Sequence, residues 1–376
     1  MTQDYLGKNI PKLGFGLMRL PTIGDVTEID IELLKQMVDE FLARGYTYFD
    51  TAYVYHGGMS EKAAKIALID RYPRDSFQFA TKLPAWAGCK TAADAEAMFW
   101  TSLERTGAGY FDYYLAHNLG GKRTKSFDDF NMWEFFAKMK EKGLIRHIGF
   151  SIHDKADVLD DILTKHPEMD FVQLQINYGD WENPEVESRK CYEIARKHNK
   201  PVVIMEPVKG GNLAAPPLPV AELLHDANPT VTPASWAIRF AASLDGLITV
   251  LSGMSSMEQM LDNLHTMDHF TPLNGEEQAV IEKARQALDL IPVIPCTDCR
   301  YCVADCPMNI NIPHVFSATN LLMRYDNLRG AKTQYGFAIR NAGKASDCIA
   351  CGNCEATCPQ KIQIIEELKR IVSTLE

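Results

Sequence analysis

The first two thirds of the chain alternate two patterns. Short apolar runs, rich in aromatic and β-branched residues, occur as LGFGLM at 13–18, TYFDTA at 47–52, FQFATK at 77–82 and FDYYLAH at 111–117. They continue as HIGFSI at 147–152, FVQLQIN at 171–177, PVVIME at 201–206 and ITVLSG at 248–253. Runs of this length and composition read as strands. Each gap carries apolar residues at helical spacing, predicting helices over 31–44, 61–69, 92–107, 131–143, 155–165, 184–198, 232–242 and 257–264. Eight β/α units in about 250 residues match the size of a closed (β/α)8 barrel of the α/β class. A doubly wound sheet is the alternative, but GFG at 14–16 is not G-x-G-x-x-G and opens no helix.

Catalytic groups of such barrels lie at the C-terminal ends of the strands. There the second run ends in Asp50, Thr51 and Ala52, with Tyr53 and Tyr55 just beyond. The third ends in Thr81 and Lys82, the fourth in His117 and Asn118. A lone buried Lys or Asp is costly, whereas an acid and an amine at one mouth can satisfy each other. His56, His147 and His153 read as structural or exposed, and Cys89 as inert packing. Trp86, His56, Trp181 and Met18 are candidates to line a substrate pocket. The segment AAPPLP at 214–219 reads as a rigid, proline-set loop.

The cysteines change the picture. Of ten, eight fall after residue 295, in two matching runs. Cys296, Cys299, Cys302 and Cys306-Pro307 form C-x2-C-x2-C-x3-C-P, and Cys348, Cys351, Cys354 and Cys358-Pro359 repeat it. This is the spacing with which bacterial ferredoxins hold two [4Fe–4S] clusters, the fourth cysteine of each run serving the other cluster. The expected sets are Cys296, Cys299, Cys302 and Cys358, and Cys348, Cys351, Cys354 and Cys306. Zinc and disulfides are the competing readings, but zinc sites favour two C-x2-C pairs. Helices are expected over 313–325 and 362–375, the second with Ile362, Ile365, Leu368 and Val372 as its apolar stripe. The chain thus divides into a barrel over 1–290 and a small α-helical, ferredoxin-like domain over 291–376.

Thirty-nine basic against 49 acidic residues, with no basic block, argue against nucleic acid and anionic membranes as partners. No run approaches the roughly 18 apolar residues of a membrane span. The opening MTQDYLGKNIPKLGFG has neither basic nor apolar signal regions. Clustered cysteines without an export signal predict a reducing cytoplasm.

Phe49–Tyr55 as F-D-T-A-x-x-Y, Thr81-Lys82 as T-K and Leu115–His117 as L-x-H resemble the aldo/keto reductase superfamily over roughly residues 10–265. With its tail, the chain resembles bacterial and archaeal members that carry a fused ferredoxin domain. The resemblance implies a tetrad of Asp50, Tyr55, Lys82 and His117. Tyr55, rather than nearby Tyr53, would be the general acid, Lys82 would lower its pKa, Asp50 would hold Lys82 and His117 would orient the carbonyl. It implies a nicotinamide cofactor, NADP(H) or NAD(H), touched by Ser151, Gln175 and Asn177 and, after the eighth run, by Gly253, Ser255, Gln259 and Asn263. Met205 or Glu206 stands where relatives place a stacking aromatic. Lys209 and Arg239 are the substitutes for a 2′-phosphate cation. The implied activity is reduction of a small-molecule carbonyl, or oxidation of an alcohol, with the clusters relaying electrons to an external partner. Purely structural clusters and a catalytically silent redox-sensing barrel remain as alternatives.

Overall fold

The computed structural model describes residues 6–7, 9–184 and 186–376. Residues 1–5, part of the N-terminal stretch read above, lie outside the described residues. Chain packing gives two compact units: Met1–Ala214 with Pro229–Ile281, and Ala215–Asn228 with Glu282–Glu376.

In the first unit all eight expected strands form: β1 Leu13–Gly16, β2 Tyr48–Asp50, β3 Gln78–Leu83, β4 Phe111–Leu119, β5 Ile145–Ile152, β6 Phe171–Gln175, β7 Val202–Met205 and β8 Leu247–Gly253. They pair in parallel and in chain order, and β1 against β8 closes the barrel. Both sheet faces are covered, so the strands read as near-continuous apolar runs. The two faces separate by parity, because successive strand residues point to opposite sides. Tyr48, Ala80, Tyr113, Leu115, Phe171 and Val203 form one buried cluster inside the barrel. Their neighbours Phe49, Phe79, Tyr114, Ala116 and Val172 pack outward with helix residues such as Phe41 and Phe99. The same parity aims Asp50, Lys82, His117, Ser151, Gln173 and Gln175 inward, each an even number of residues along its strand from an interior position. Gly149 is required on β5: a Cβ there would lie 2.6 Å from the Phe171 carbonyl oxygen and 2.7 Å from its ring.

The helices differ more from expectation. Helices Ile31–Ala43 and Ala92–Thr106 begin where side-chain caps dictate, Asp30 accepting from the Leu33 N–H and Thr91 forming a reciprocal box with Asp94. The helix expected over 61–69 is Met59–Ala64 followed by a π turn at Lys65–Ile69. Lys122–Asp129 and Gly275–Asp289 are additional helices. The first carries no apolar stripe for periodicity to detect.

The proline segment read as a loop is turn and coil over 214–217 and runs on into the helix Leu218–Ala227, with Pro217 at its N-cap and Pro219 in its first turn. Proline is tolerated there because the first-turn N–H groups have no helical partner anyway.

The second unit contains the expected helices, as Ile312–Tyr325 and Ile364–Leu375, and an unexpected one, Leu328–Ala338. The buried stripe of the last helix is Ile364, Leu368, Ile371 and Leu375. Of the stripe expected there, only Leu368 is fully buried. The expected stripe starts at Ile362, two residues before the helix does, so its register is shifted.

Candidate active site and cysteine centres

β2, β3 and β4 bring the expected tetrad together. Lys82 is 1% exposed and Asp50 3%, so their charges must be satisfied inside the protein. The Lys82 ammonium donates to Asp50 Oδ1, to the Thr51 carbonyl oxygen at 2.8 Å and to Tyr55 Oη at 3.4 Å. Its three hydrogens are thereby accounted for. Gln173 Nε2 donates to the other Asp50 oxygen at 3.3 Å. Burial opposes the ammonium, but Asp50 and Tyr55 outweigh it and raise the Lys82 pKa above its ordinary value.

Tyr55 follows β2 in a tight turn, Tyr55–Gly58, that runs through left-handed backbone at His56 and Gly57 (φ 51° and 63°). His56 holds that turn. Its Nδ1 donates to the Val26 carbonyl at 2.5 Å, and its Nε2 accepts from the Leu20 N–H at 3.1 Å, fixing the neutral tautomer. His56 is therefore structural. Burial pushes the Tyr55 phenol up and Lys82 pulls it down; burial prevails, so Tyr55 is a protonated phenol at neutral pH. The expectation that Lys82 lowers this pKa holds for its contribution, not for the net position.

His117 meets the Tyr55 ring edge-on at 5.8 Å between centroids. Its buried Nδ1 has no hydrogen-bond partner, and burial, with Lys82 second, holds its pKa well below 6.5. It is a neutral imidazole. Trp86 lies 6.1 Å from His117, centroid to centroid, and its Nε1 donates to the His117 carbonyl at 2.7 Å. Tyr53 is drawn aside: Arg105 sits 4.3 Å over its ring and binds its carbonyl at 3.1 Å.

Glu61 was not singled out from sequence. It is fully buried, accepts from Thr81 Oγ1 at 2.8 Å and pairs with Arg105 at 3.4 Å. No sequence signal marks it, because a glutamate on a helical pattern ordinarily faces water.

The expected nicotinamide contacts are placed as follows. Ser151 Oγ accepts from the Asn118 N–H at 2.8 Å, and its own hydroxyl hydrogen remains to be donated. Gln175 and Asn177 are both drawn to buried Asp180, at 2.9 and 2.8 Å. Asp180 is also ion-paired with Lys209. Arg239 makes a two-pronged pair with Glu277 at 2.7 and 2.9 Å. Both substitute cations are therefore committed within the protein. Met205 ends β7, and Glu206 follows it with left-handed backbone (φ 56°). Trp181 packs on Phe240 and Tyr192, at 5.5 and 6.0 Å. Beyond β8, Ser255 N–H donates to Gln259 Oε1 at 2.8 Å, and Asn263 donates to Ser252 Oγ at 2.7 Å.

One cation escaped the sequence reading. Arg19, exposed in the loop after β1, lies between Gly253 at the end of β8 and Gly210 in the turn that follows β7. A methyl group on Gly253 would sit 3.3 Å from its Cβ, and one on Gly210 would sit 2.9 Å from its guanidinium. Ser255 Oγ anchors its carbonyl at 2.7 Å. Among the described residues its guanidinium makes no ion pair.

In the second unit the eight tail cysteines surround two small cavities. Cys306, Cys348, Cys351 and Cys354 line one, with Cys296, Cys299, Cys302 and Cys358 around the other. The two halves repeat each other in backbone as well as sequence. Asp298, Arg300 and Asn309 are left-handed, as are Ala350, Gly352 and Lys361, each 52 residues later. The short turns Tyr301–Ala304 and Asn353–Thr357 follow, then the long helices begin at Ile312 and Ile364. Among the described residues no three His, Cys, Asp or Glu side chains come close enough together to hold a single metal ion.

Residues 12–286 match the model of the aldo/keto reductase family, and residues 295–363 match that of the 4Fe-4S dicluster domain. An aldo-keto reductase of Mycolicibacterium vanbaalenii is 28% identical over 274 residues, covering 73% of this chain and 88% of its own length. The solved holo form of an aldo-keto reductase from Bacillus halodurans superposes with a TM-score of 0.58 at 25% identity, over 73% of this chain and 92% of that one. A Klebsiella pneumoniae aldo-keto reductase, solved in complex with NADPH, shares the fold with a TM-score of 0.57 at 19% identity, over 73% of this chain and 90% of its own. With a barrel that carries an acid–amine–phenol–imidazole mouth, and with a family model matching most of its length, this chain belongs to the aldo/keto reductase family of oxidoreductases and bears a C-terminal 4Fe-4S dicluster domain.

Proposed function

We propose that the chain is a nicotinamide-dependent carbonyl reductase, running in reverse as an alcohol dehydrogenase, whose two [4Fe–4S] clusters carry single electrons to or from an external partner. The observation that carries the reading is the hydrogen-bonded set Asp50–Lys82–Tyr55 beside neutral His117. Lys82 donates to the Tyr55 oxygen, which leaves the phenol hydrogen free to be given to a carbonyl oxygen at the mouth. The ammonium then stabilises the phenolate left behind, and Asp50 keeps that ammonium charged and aimed. Neutral His117 and Trp86 orient the carbonyl and keep water from it. A bound nicotinamide would supply two electrons as hydride, and the two clusters would match that pair by holding one electron each.

The residues fit these groups. Each cavity offers four thiols in the crossed arrangement that two cubanes need, and soft thiolates suit iron–sulfur clusters. Ser151, with a hydroxyl hydrogen to give, is suited to the carboxamide, and Gly253, Ser255, Gln259 and Asn263 to the far end of the nucleotide. On this reading the barrel is 1–290 and the cluster domain 291–376. Among the described residues no helix is long and apolar enough to cross a membrane, and eight thiols kept for iron call for a reducing cytoplasm. The missing aromatic at the end of β7 favours a second reading, a barrel that binds nucleotide without turnover and serves as a redox sensor.

The test is an anaerobic preparation assayed for iron and then titrated with NADPH and NADH while the cluster absorbance is followed. About eight irons per chain and bleaching by either nucleotide support the relay. Carbonyl turnover without bleaching, while dithionite still reduces the clusters, would make them structural. Bleaching with no turnover across a broad carbonyl panel would favour the sensor.

Arg19 extends this reading to the phosphates. Among the described residues it makes no ion pair, and Gly210 and Gly253 leave room for backbone and anion to approach. Replacing Arg19 with Ala is expected to weaken nucleotide binding by about 1.5–3 kcal/mol, the worth of a charged hydrogen bond, or roughly tenfold to a hundredfold. Equal losses for NADPH and NADH place it on the pyrophosphate; a loss confined to NADPH places it on the 2′-phosphate. Unchanged dissociation constants for both would remove it from the site.

A further inference from the structure

The 52-residue repeat lets the two cavities be compared position by position. Ile349, Gly352 and Met308 line the cavity of Cys306, Cys348, Cys351 and Cys354. The residues 52 positions away from them, Thr297, Arg300 and Gln360, line the other cavity. All three exchanges run the same way: a hydroxyl for a sec-butyl group, a guanidinium for a hydrogen and an amide for a thioether. Three of the four matching cysteine pairs are alike in exposure, Cys296 with Cys348, Cys299 with Cys351 and Cys302 with Cys354; in the fourth, Cys358 is buried and Cys306 half-buried. Arg300 has a neighbouring acid, Asp298, at 3.4 Å, and of the two only Arg300 lines the cavity. A cluster that gains an electron gains one unit of negative charge. A nearby cation and polar hydrogen donors favour that reduced form, and an apolar wall disfavours it.

We propose that the two clusters are electronically unequal: the one held by Cys296, Cys299, Cys302 and Cys358 takes the first electron, and Arg300 is the residue that chiefly sets the difference. The inference rests on the reading that two [4Fe–4S] clusters are bound, and it deepens that reading by giving the pair a direction. The higher-potential site is where a single electron rests, and the apolar site is the stronger reductant. Arg300 acts on the potential and touches no substrate, so it is a positioning residue.

Two repeat positions make the test reciprocal. Gly352 has open space where a Cβ would be added, and the matching Arg300 already holds a left-handed backbone (φ 66° against 81°). The experiment is a potentiometric titration of the full, cluster-loaded chain under anaerobic conditions, followed by electron paramagnetic resonance. A mediator equilibrated with dithionite gives up one electron for each cluster reduced. The wild-type chain should show two one-electron steps whose affinities differ at least about tenfold, equivalent to 59 mV. Arg300→Gly should lower the upper step towards the lower, Arg300→Lys should leave it nearly in place, and Gly352→Arg should raise the lower step. Arg300→Gln, which keeps the stem and removes the charge, should reproduce the shift of the glycine variant with the iron count intact. Coincident steps in the wild type, or an upper step that moves in neither Arg300→Gly nor Arg300→Gln, would overturn the inference. A chain that retains no clusters would instead overturn the reading beneath it.

Discussion

Replacing Tyr55 with Phe is expected to lower kcat/KM for carbonyl reduction by about 10²–10⁴-fold, the usual worth of a positioned general acid. Iron content and nucleotide binding should stay unchanged. The substitution removes one oxygen, and that oxygen takes only the longest of the three Lys82 hydrogen bonds, at 3.4 Å. Asp50 and the Thr51 carbonyl continue to hold the ammonium, so the barrel has no structural reason to fail. The pH profile offers an independent reading of the same group. Tyr55 is held above its ordinary pKa of about 10 and His117 well below its own. The reduction rate should therefore stay level across neutral pH and fall only as the phenol begins to ionise, above about pH 10. Alcohol oxidation, which needs the phenolate to accept a proton, should climb with pH over the same range. If the Phe variant keeps its activity, the acid is another group and the tetrad loses its centre.

The sequence made the barrel legible because its strands are buried on both faces. Apolar runs such as FQFATK and FVQLQIN stand out, and all eight became strands whose ends moved by only a few residues. Their C-terminal ends then marked Asp50, Lys82 and His117 as candidates, and in the folded strands period two turns these residues to the inner face. What sequence hid was set by tertiary context. Glu61 is buried because Thr81 and Arg105 meet it there, which a local pattern does not record. Lys209 looked available for phosphate, yet it is spent on Asp180, 29 residues distant. Arg19 looked like an ordinary loop residue until the closing of β1 against β8 laid it beside Gly253. The three prolines of 214–219 predict a rigid loop; that holds to Pro217, and Pro219 falls in the first turn of a helix, where proline is tolerated. The cysteine runs were the most legible feature of the tail. The polarity difference between their cavities, however, appears only when the folded repeats are compared.

Replacing Lys82 with Met should cost more stability than Tyr55→Phe and should also remove activity. The change leaves the Asp50 carboxylate buried, with Gln173, at 3.3 Å, the side-chain donor that remains to it among the described residues. Breaking one partner of a buried pair typically costs about 3–5 kcal/mol, because the remaining charge is stranded away from water. The loss should be seen as a lower denaturant midpoint of the barrel transition, or as protonation of Asp50 at a pH well above the ordinary carboxylate range. Adding Asp50→Asn removes the stranded charge, so the double variant should recover most of the stability. The non-additivity, a coupling energy of about 1–3 kcal/mol, measures the pair directly. Activity should not return with stability, because the double variant still has no cation to stabilise the Tyr55 phenolate. That separation tells a residue that holds the fold from one that also serves the proton transfer. If Lys82→Met cost under about 1 kcal/mol, it would behave like a solvent-exposed pair, and the buried ion pair at the heart of the site would be wrong.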